Sequence, residues 1–234
     1  MCARYTLTAE EKEILKTHPH QIQGEWTPNY NLAITQKGLV ITADEPDIIQ
    51  QMSFGIVPYF AEGLKLTRDT WNIKSETAME SKLWRPLLIH HKTCLVMADS
   101  FYEWKKDAKG EQQPYRFTVK DRKLFCFAGL WSQWVDPETK EKFRTYGILT
   151  TEANPLVAEI HSKKRMPVIL TKAEEEIWLS KTLPLDTKMT VLDTFPQELM
   201  NRVMVSRRVN AVSTLKKPNN DSDLLLPLNT DDDV

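Results

Sequence analysis

The chain has 234 residues, 41% of them hydrophobic and 27% charged, the balance of a soluble globular protein. At roughly 150 residues per domain, that length allows one large domain or two small ones, with a core that needs no disulfide or metal staple. The formal net charge of −1 excludes a strongly basic or acidic protein, and no apolar run approaches the roughly 20 residues that span a bilayer.

In chain order, Glu10, Glu11, Lys12 and Glu13 stand where a signal peptide would carry its apolar stretch, so neither export nor membrane insertion is expected. Thr8-x-x-Glu11 ahead of Ile14 and Leu15 fits a capping box and predicts a first helix. Leu32–Thr35 and Leu39–Thr42 flank Gln36-Lys37-Gly38, which predicts a hairpin. A strand is expected at 52–57. Thr77-x-x-Glu80 leads into Leu83, Trp84 and Leu87 as a second helix start. Further strands are expected at 93–104, 115–119, 124–131, 143–151, 166–170 and 203–209. Between the last two, Thr171-x-x-Glu174 precedes Ile177, Trp178 and Leu179 as a third capping box.

Strands outnumber helices and lack the regular βαβ rhythm of a doubly wound sheet. The expected fold is a single α+β domain with a curved, mostly antiparallel sheet around a barrel-like core and a few peripheral helices. The body runs over 1–217. From Pro218 onward the sequence holds five of the 32 acids and no Lys or Arg, so 218–234 is expected to be an acidic, flexible tail. The stretch after Glu198 carries Arg202, Arg207, Arg208, Lys216 and Lys217 without an acid, and Lys163-Lys164-Arg165 forms a second basic knot. Each such run, taken alone, is more often a solvated face than a binding surface.

Four segments could carry chemistry. If Met1 is removed, as a small second residue permits, Cys2 presents an α-amine of ordinary pKa about 7.7–8.0 beside a thiol of about 8.5. Such an aminothiol condenses with an aldehyde to an imine, which the thiol then closes intramolecularly to a thiazolidine. Read alone, a Cys at this position is more often an accident of the terminus. His161 sits in an expected loop beside Lys163, Lys164 and Arg165, whose charges disfavour its imidazolium form. Glu103, between Tyr102 and Trp104, is either a desolvated carboxylate or a surface residue between two inward aromatics. Trp71-Asn72-Ile73-Lys74-Ser75-Glu76 could stack a base and pair with a phosphate, or could equally be a helix-entry turn. The remaining histidines, His18, His20, His90 and His91, lack HxxxH or HExxH spacing, and no metal site is expected. Cys94 and Cys126 lie in apolar strand-like runs and read as buried thiols in a reducing compartment.

Seven segments in order carry a resemblance: Met1–Tyr5, Asn29–Asn31, Phe54–Pro58, Asn72–Thr77, Ala98–Trp104, Phe127–Trp131 and Ile160–Leu170. Together they resemble the SRAP (SOS response-associated peptidase) family, over residues 2 to about 210. The resemblance implies a cytoplasmic, nucleoid-associated sensor of abasic sites in single-stranded DNA, without a cofactor. It would hold the ring-opened sugar as a thiazolidine crosslink that shields the lesion. It implies Cys2 as nucleophile, His161 as a proton shuttle on the sugar oxygen, Glu103 as an acid–base group in imine formation, and Asn72 as an orienting amide. Arg4, Lys74 and Arg165 match cations that hold phosphates, with Trp71, Trp104 and Met166 as further DNA contacts. The family name suggests an alternative, a thiol peptidase of Cys2 and His161 that removes Met1. A third reading is a non-covalent module for RNA or modified bases. The sequence departs from the family pattern with Lys74 in place of Arg, Ser53-Phe54 in place of Arg-Trp, Ser100 in place of Gly, and two extra residues between His161 and Arg165.

Overall fold

Side chains alternate from face to face along a strand, and that alternation sorts the apolar residues of this chain into two layers. The computed structural model describes residues 3–64, 69–213 and 218–228. The chain opens with β1 (Arg4–Leu7), α1 (Glu11–Thr17), β2 (Gln21–Ile22), β3 (Asn29–Ala33), β4 (Lys37–Thr42) and β5 (Glu45–Phe54). β6 (Asn72–Lys74) runs into a 3-10 turn at Ser75–Glu80 and then α2 (Trp84–Ile89). β7 (Thr93–Ala98), β8 (Ser100–Lys106), β9 (Gln112–Val119), β10 (Phe125–Val135) and β11 (Lys142–Glu152) follow. After them come α3 (Pro155–Ala158), β12 (Arg165–Pro167), β13 (Ile169–Leu170), α4 (Lys172–Leu179), α5 (Leu185–Met189) and β14 (Met200–Met204).

The expected α+β architecture is borne out. β5, β4, β7, β10 and β11 pair in succession, and β11 closes back on β5 in parallel register through Thr145–Ser53 and Tyr146–Phe54. The result is a five-strand barrel-like core. A second, wholly antiparallel sheet has the order β14-β9-β8-β1-β3. One face of the barrel strands, with Val96, Phe125, Phe127 and Tyr146, packs against Tyr5, Phe101 and Phe117 of that sheet. The other face, with Leu95, Met97, Ala128 and Leu130, packs against Ile14 of α1, Leu88 of α2 and Trp178 of α4. Each fully buried phenylalanine contributes roughly 1.5–3 kcal/mol of transfer free energy. Gly129 has no alternative, because a Cβ there would sit 2.8 Å from Cys94 Sγ and 3.0 Å from the Gly147 carbonyl. Cys94 and Cys126 are buried free thiols.

Several local expectations are corrected. The two segments of the expected hairpin do become strands, but they part company: β3 joins β1, whereas β4 pairs with β5 and β7. Thr35, in the left-handed region at φ 74°, donates its N–H to Phe54 instead of closing a two-strand turn. The run 93–104 is two strands in different sheets, broken at Asp99. Asp99 also explains the first helix: its carboxylate takes the Thr8 hydroxyl (2.7 Å) and the Ala9 N–H (3.1 Å), so Thr8 is unavailable as a cap. α1 starts after Glu10 instead, whose N–H donates to Glu13. Thr77 falls inside the 3-10 turn, and Ser81 Oγ accepts the Leu83 and Trp84 N–H groups ahead of α2. Only Thr171 caps as its motif predicts, paired with Glu174 at the start of α4.

The expectation of a loose tail from residue 218 fails over 218–228. Leu224 is buried with Tyr102, Val205 and Val209, Asp221 pairs with Arg208, and Leu228 N–H donates to Met204 O. This segment covers the outer face of the second sheet. Residues 229–234 lie outside the described residues, as do Cys2, Lys216 and Lys217. No helix among the described residues is long and apolar enough to cross a membrane.

Candidate functional site

Strand alternation on β8 sends Phe101 and Glu103 to one face and Tyr102 and Trp104 to the other. Both faces are covered. Tyr102 packs under Leu224 and donates its hydroxyl to Tyr30 O at 3.0 Å, while Glu103 is enclosed, at 1% exposure. Of the two readings open from spacing alone, the desolvated carboxylate is the one realised. Its Oε1 has no hydrogen-bond partner among the described residues. Removing a carboxylate from water without compensating donors disfavours its charged form, and burial pushes Glu103 up to about 8.

His161 reaches the same place from the other end of the chain. Asn154 caps α3 by accepting the Val157 N–H at 3.0 Å, and its amide donates to Phe195 O at 2.8 Å. Pro155 supplies the first helical residue, where its missing N–H costs nothing. The helix lasts one turn, and the His161 N–H closes on Val157 O. Residues 161–164 then turn back, with Lys164 at φ 49° and its N–H on His161 O. That return brings the Arg165 N–H to His161 Nδ1 at 3.0 Å. An imidazole nitrogen that accepts a hydrogen bond carries no proton, so the neutral ring is protonated at Nε2. His161 is 5% exposed, and burial followed by the charges of Lys163 and Arg165 pushes it down to about 4.

His161 Nε2 lies 3.6 Å from Glu103 Oε2. An ion pair would draw His161 up and Glu103 down, but burial outweighs that attraction for both. Near neutral pH a neutral imidazole N–H therefore faces a protonated carboxyl group. The arrangement offers an acid–base group poised near physiological pH, Glu103, beside a fixed donor. Among the described residues, no third His, Cys, Asp or Glu comes close enough to complete a metal site there.

The pair opens on a cleft of about 820 Å³, lined among others by Ala3, Arg4, Trp104, Lys105, Lys106 and Lys164. Ala3 is the chain neighbour of Cys2. Arg4 is anchored at the cleft by donating from Nη1 to Asn31 Oδ1 and Val209 O, both at 2.7 Å. Trp104 donates its indole N–H to Asn210 Oδ1 at 2.7 Å and is partly exposed. A different cleft, of about 670 Å³, lies at Arg144, Glu45 and Gln50, whose polar groups satisfy one another.

The other sequence-derived candidates are not brought into the cleft lining. Asn72 and Lys74 sit on β6, in parallel register with Ile148 and Thr150 of β11; Asn72 is buried and Lys74 exposed. Trp71 is partly buried against the core. Arg165 forms a bidentate pair with Glu76 (2.6 and 2.8 Å) and also donates to Thr150, so its guanidinium is committed within the protein. Met166 has no exposed surface and packs in the core, so it cannot touch DNA directly. The three arginines of the basic run after Glu198 are in ion pairs: Arg202 with Glu159, Arg207 with Asp107, and Arg208 with Asp221. Lys105, Lys106 and Asn210 at the cleft were missed. The adjacent lysines directly after Glu103 and Trp104 were the available signal.

The sequence profile of the family described as SOS response associated peptidase (SRAP) matches residues 1–212. The abasic site processing protein YoqW of Bacillus subtilis (strain 168) is 35% identical over 216 residues, covering 90% of this chain and 95% of that protein. The abasic site processing protein HMCES of Gallus gallus is 29% identical over 187 residues, covering 67% of this chain and 55% of that protein. A crystal structure of a Bacteroides thetaiotaomicron protein superposes with a TM-score of 0.85 at 26% identity, over 97% of this chain and all of that one.

Proposed function

The chain belongs to the SOS response associated peptidase (SRAP) family, and on that premise we propose that it captures abasic sites in single-stranded DNA as a covalent adduct of Cys2. The observation that carries this reading is the buried Glu103–His161 pair at a basic cleft that Ala3 lines. The names of the relatives, abasic site processing proteins, support the substrate class.

An abasic deoxyribose equilibrates between a closed hemiacetal and a ring-opened aldehyde. With Met1 removed, the Cys2 amine attacks the aldehyde carbon, and the resulting carbinolamine loses water to give an imine. The thiol then adds to the imine carbon, its proton passes to the nitrogen, and a thiazolidine closes with the net loss of one water. Protonated Glu103 supplies the proton that ring opening and water departure require and recovers one from the attacking amine. His161 acts as a neutral Nε2–H donor that holds the sugar oxygen and orients the carboxyl group. Arg4, Lys105, Lys106 and Lys164 attract the phosphates, and Trp104 offers a stacking face. A lesion without a base presents no sequence to read, so capture is sequence-tolerant. The setting that fits this chemistry is the cytoplasm, with nucleoid association when DNA is bound.

The peptidase alternative needs an unprotonated imidazole nitrogen to take the thiol proton. In His161 that nitrogen, Nδ1, is occupied by the Arg165 N–H.

Incubation with an oligonucleotide carrying one abasic site, followed by a denaturing gel, tests the proposal. An SDS-stable band that disappears with Cys2→Ala is expected. Binding without any such band would favour the non-covalent module.

A further inference from the structure

Three potential ligands converge where α1, α4 and β10 meet, and none of them lines the cleft. His18 follows the last residue of α1, Glu175 lies on α4, Cys126 lies on β10, and all three are buried. His18 Nε2 stands 3.0 Å from Glu175 Oε2 and 3.7 Å from Cys126 Sγ, and the three ligand atoms lie within 4.8 Å of one another.

Proton placement gives this cluster its meaning. The Thr17 hydroxyl donates to Ile14 O at 3.0 Å, so in its 3.1 Å contact with His18 Nδ1 the imidazole is the donor. His18 then presents a lone pair at Nε2, against an oxygen of Glu175 that is also an acceptor. Two acceptors so close repel each other unless a cation lies between them. Lys172 Nζ provides it, 2.7 Å from His18 Nε2 and 2.7 Å from Glu175 Oε2. A nitrogen and an oxygen lone pair, with a sulfur beside them, are thus aimed at one cationic position.

We propose that His18, Cys126 and Glu175 form a site for a thiophilic divalent metal ion of the Zn²⁺ class, with Lys172 as an internal cation that competes for it. Zinc bonds of about 2.0–2.3 Å in a tetrahedron require ligand atoms about 3.3–3.6 Å apart. The observed 3.0 and 3.7 Å bracket that range. Imidazole and thiolate select a borderline-soft ion over Mg²⁺ or Ca²⁺. Binding releases the Cys126 thiol proton to solvent, and the thiolate and the Glu175 carboxylate together cancel the two positive charges. The Lys172 ammonium swings outward, its side chain being already 52% exposed, and opens the entry path and a fourth position for water. Arg122 Nη2 lies 3.6 Å from the other Glu175 oxygen, a positive charge that favours the ionised carboxylate. The ion would tie α1 to α4 and to the barrel. The ligands come from positions 18, 126 and 175, so no spacing motif announces them.

Titration of the chelator-treated chain with Co²⁺ tests the site. A thiolate-to-cobalt charge-transfer band should saturate at one equivalent, be abolished by Zn²⁺, persist in Cys2→Ser and vanish in Cys126→Ser. Because Cys126 is a core residue, the half-exposed Lys172 gives an independent check. Lys172→Ala should tighten Co²⁺ binding about tenfold or more by removing a charge that repels the ion. The proposal is overturned if neither the unaltered chain nor Lys172→Ala gives the band, if the band survives Cys126→Ser, or if Lys172→Ala leaves affinity unchanged or weaker.

Discussion

The Nε2–H of His161 and the carboxyl group of Glu103 meet at 3.6 Å although one residue sits on a strand of the second sheet and the other on a turn between α3 and β12. Neither partner is charged near neutral pH, and each is neutral because it is buried. The acid–base behaviour assigned to the site follows from that fact, and its consequences are measurable.

Glu103→Gln should change how stability depends on pH. Above the ordinary carboxylate value of 4.5, an unfolded Glu103 ionises while the folded one stays protonated until about 8, so stability falls as pH rises across that window. His161, held at about 4 against an ordinary 6.5, acts oppositely between those values, adding stability as pH rises. Above pH 6.5 only the Glu103 slope remains, worth about 2 kcal/mol between pH 6.5 and 8. Denaturant melts at several pH values should show Glu103→Gln gaining on the unaltered chain by that amount. Parallel curves would mean that Glu103 is not protonated in the fold.

The same carboxyl group shapes the rate of capture. Crosslinking should rise with pH as the Cys2 amine deprotonates and fall as Glu103 ionises near 8. Single-turnover gels across pH should give a bell in the unaltered chain, and Glu103→Gln should be slower and lack the falling limb.

Charges at the cleft should matter more than charges elsewhere. Lys105→Gln and Lys106→Gln should each weaken binding of single-stranded DNA and reduce the slope of log K against log salt by up to about 0.7. Arg202→Gln and Arg208→Gln remove cations already paired with Glu159 and Asp221 and should leave that slope nearly unchanged. Fluorescence anisotropy at several salt concentrations separates the two sets.

The docked C-terminal segment should be a structural part of the body. Leu224→Ala opens a hole beside Tyr102, Val205 and Val209 and should cost about 2–4 kcal/mol in denaturant unfolding. An effect under about 0.5 kcal/mol would mean that the segment is only loosely held.

What could be read from the sequence was local or carried by ordered motifs. Thr171 and Glu174 lie within one turn of each other and cap α4 as their spacing predicts. Thr8 has an equally good motif, but Asp99, far along the chain, takes its hydroxyl. The hairpin expected around Lys37 fails for the same kind of reason, since partners 45–54 and 93–98 outcompete the nearest strand. Acidic composition suggests a loose end at 218, yet one buried leucine, Leu224, with the Asp221–Arg208 pair and the Leu228–Met204 hydrogen bond, docks it. At the site, Glu103 and His161 stood out by residue type and motif, but burial, the deciding property, depends on both faces of β8 being covered. Arg165 and Met166 share the motif of His161 and act within the protein: one supplies the backbone N–H that sets the tautomer of His161, the other packs in the core and accepts the N–H of Asn154, the cap of α3.

Intact-mass analysis of the adduct with an abasic oligonucleotide tests covalent capture most directly. The expected mass is that of the chain lacking Met1 plus the oligonucleotide minus one water, in a bond that resists borohydride. Cys2→Ala, which keeps the amine but loses the sulfur, should give only a labile, reducible imine. An adduct that retains Met1, or one equally stable with Cys2→Ala, would contradict it.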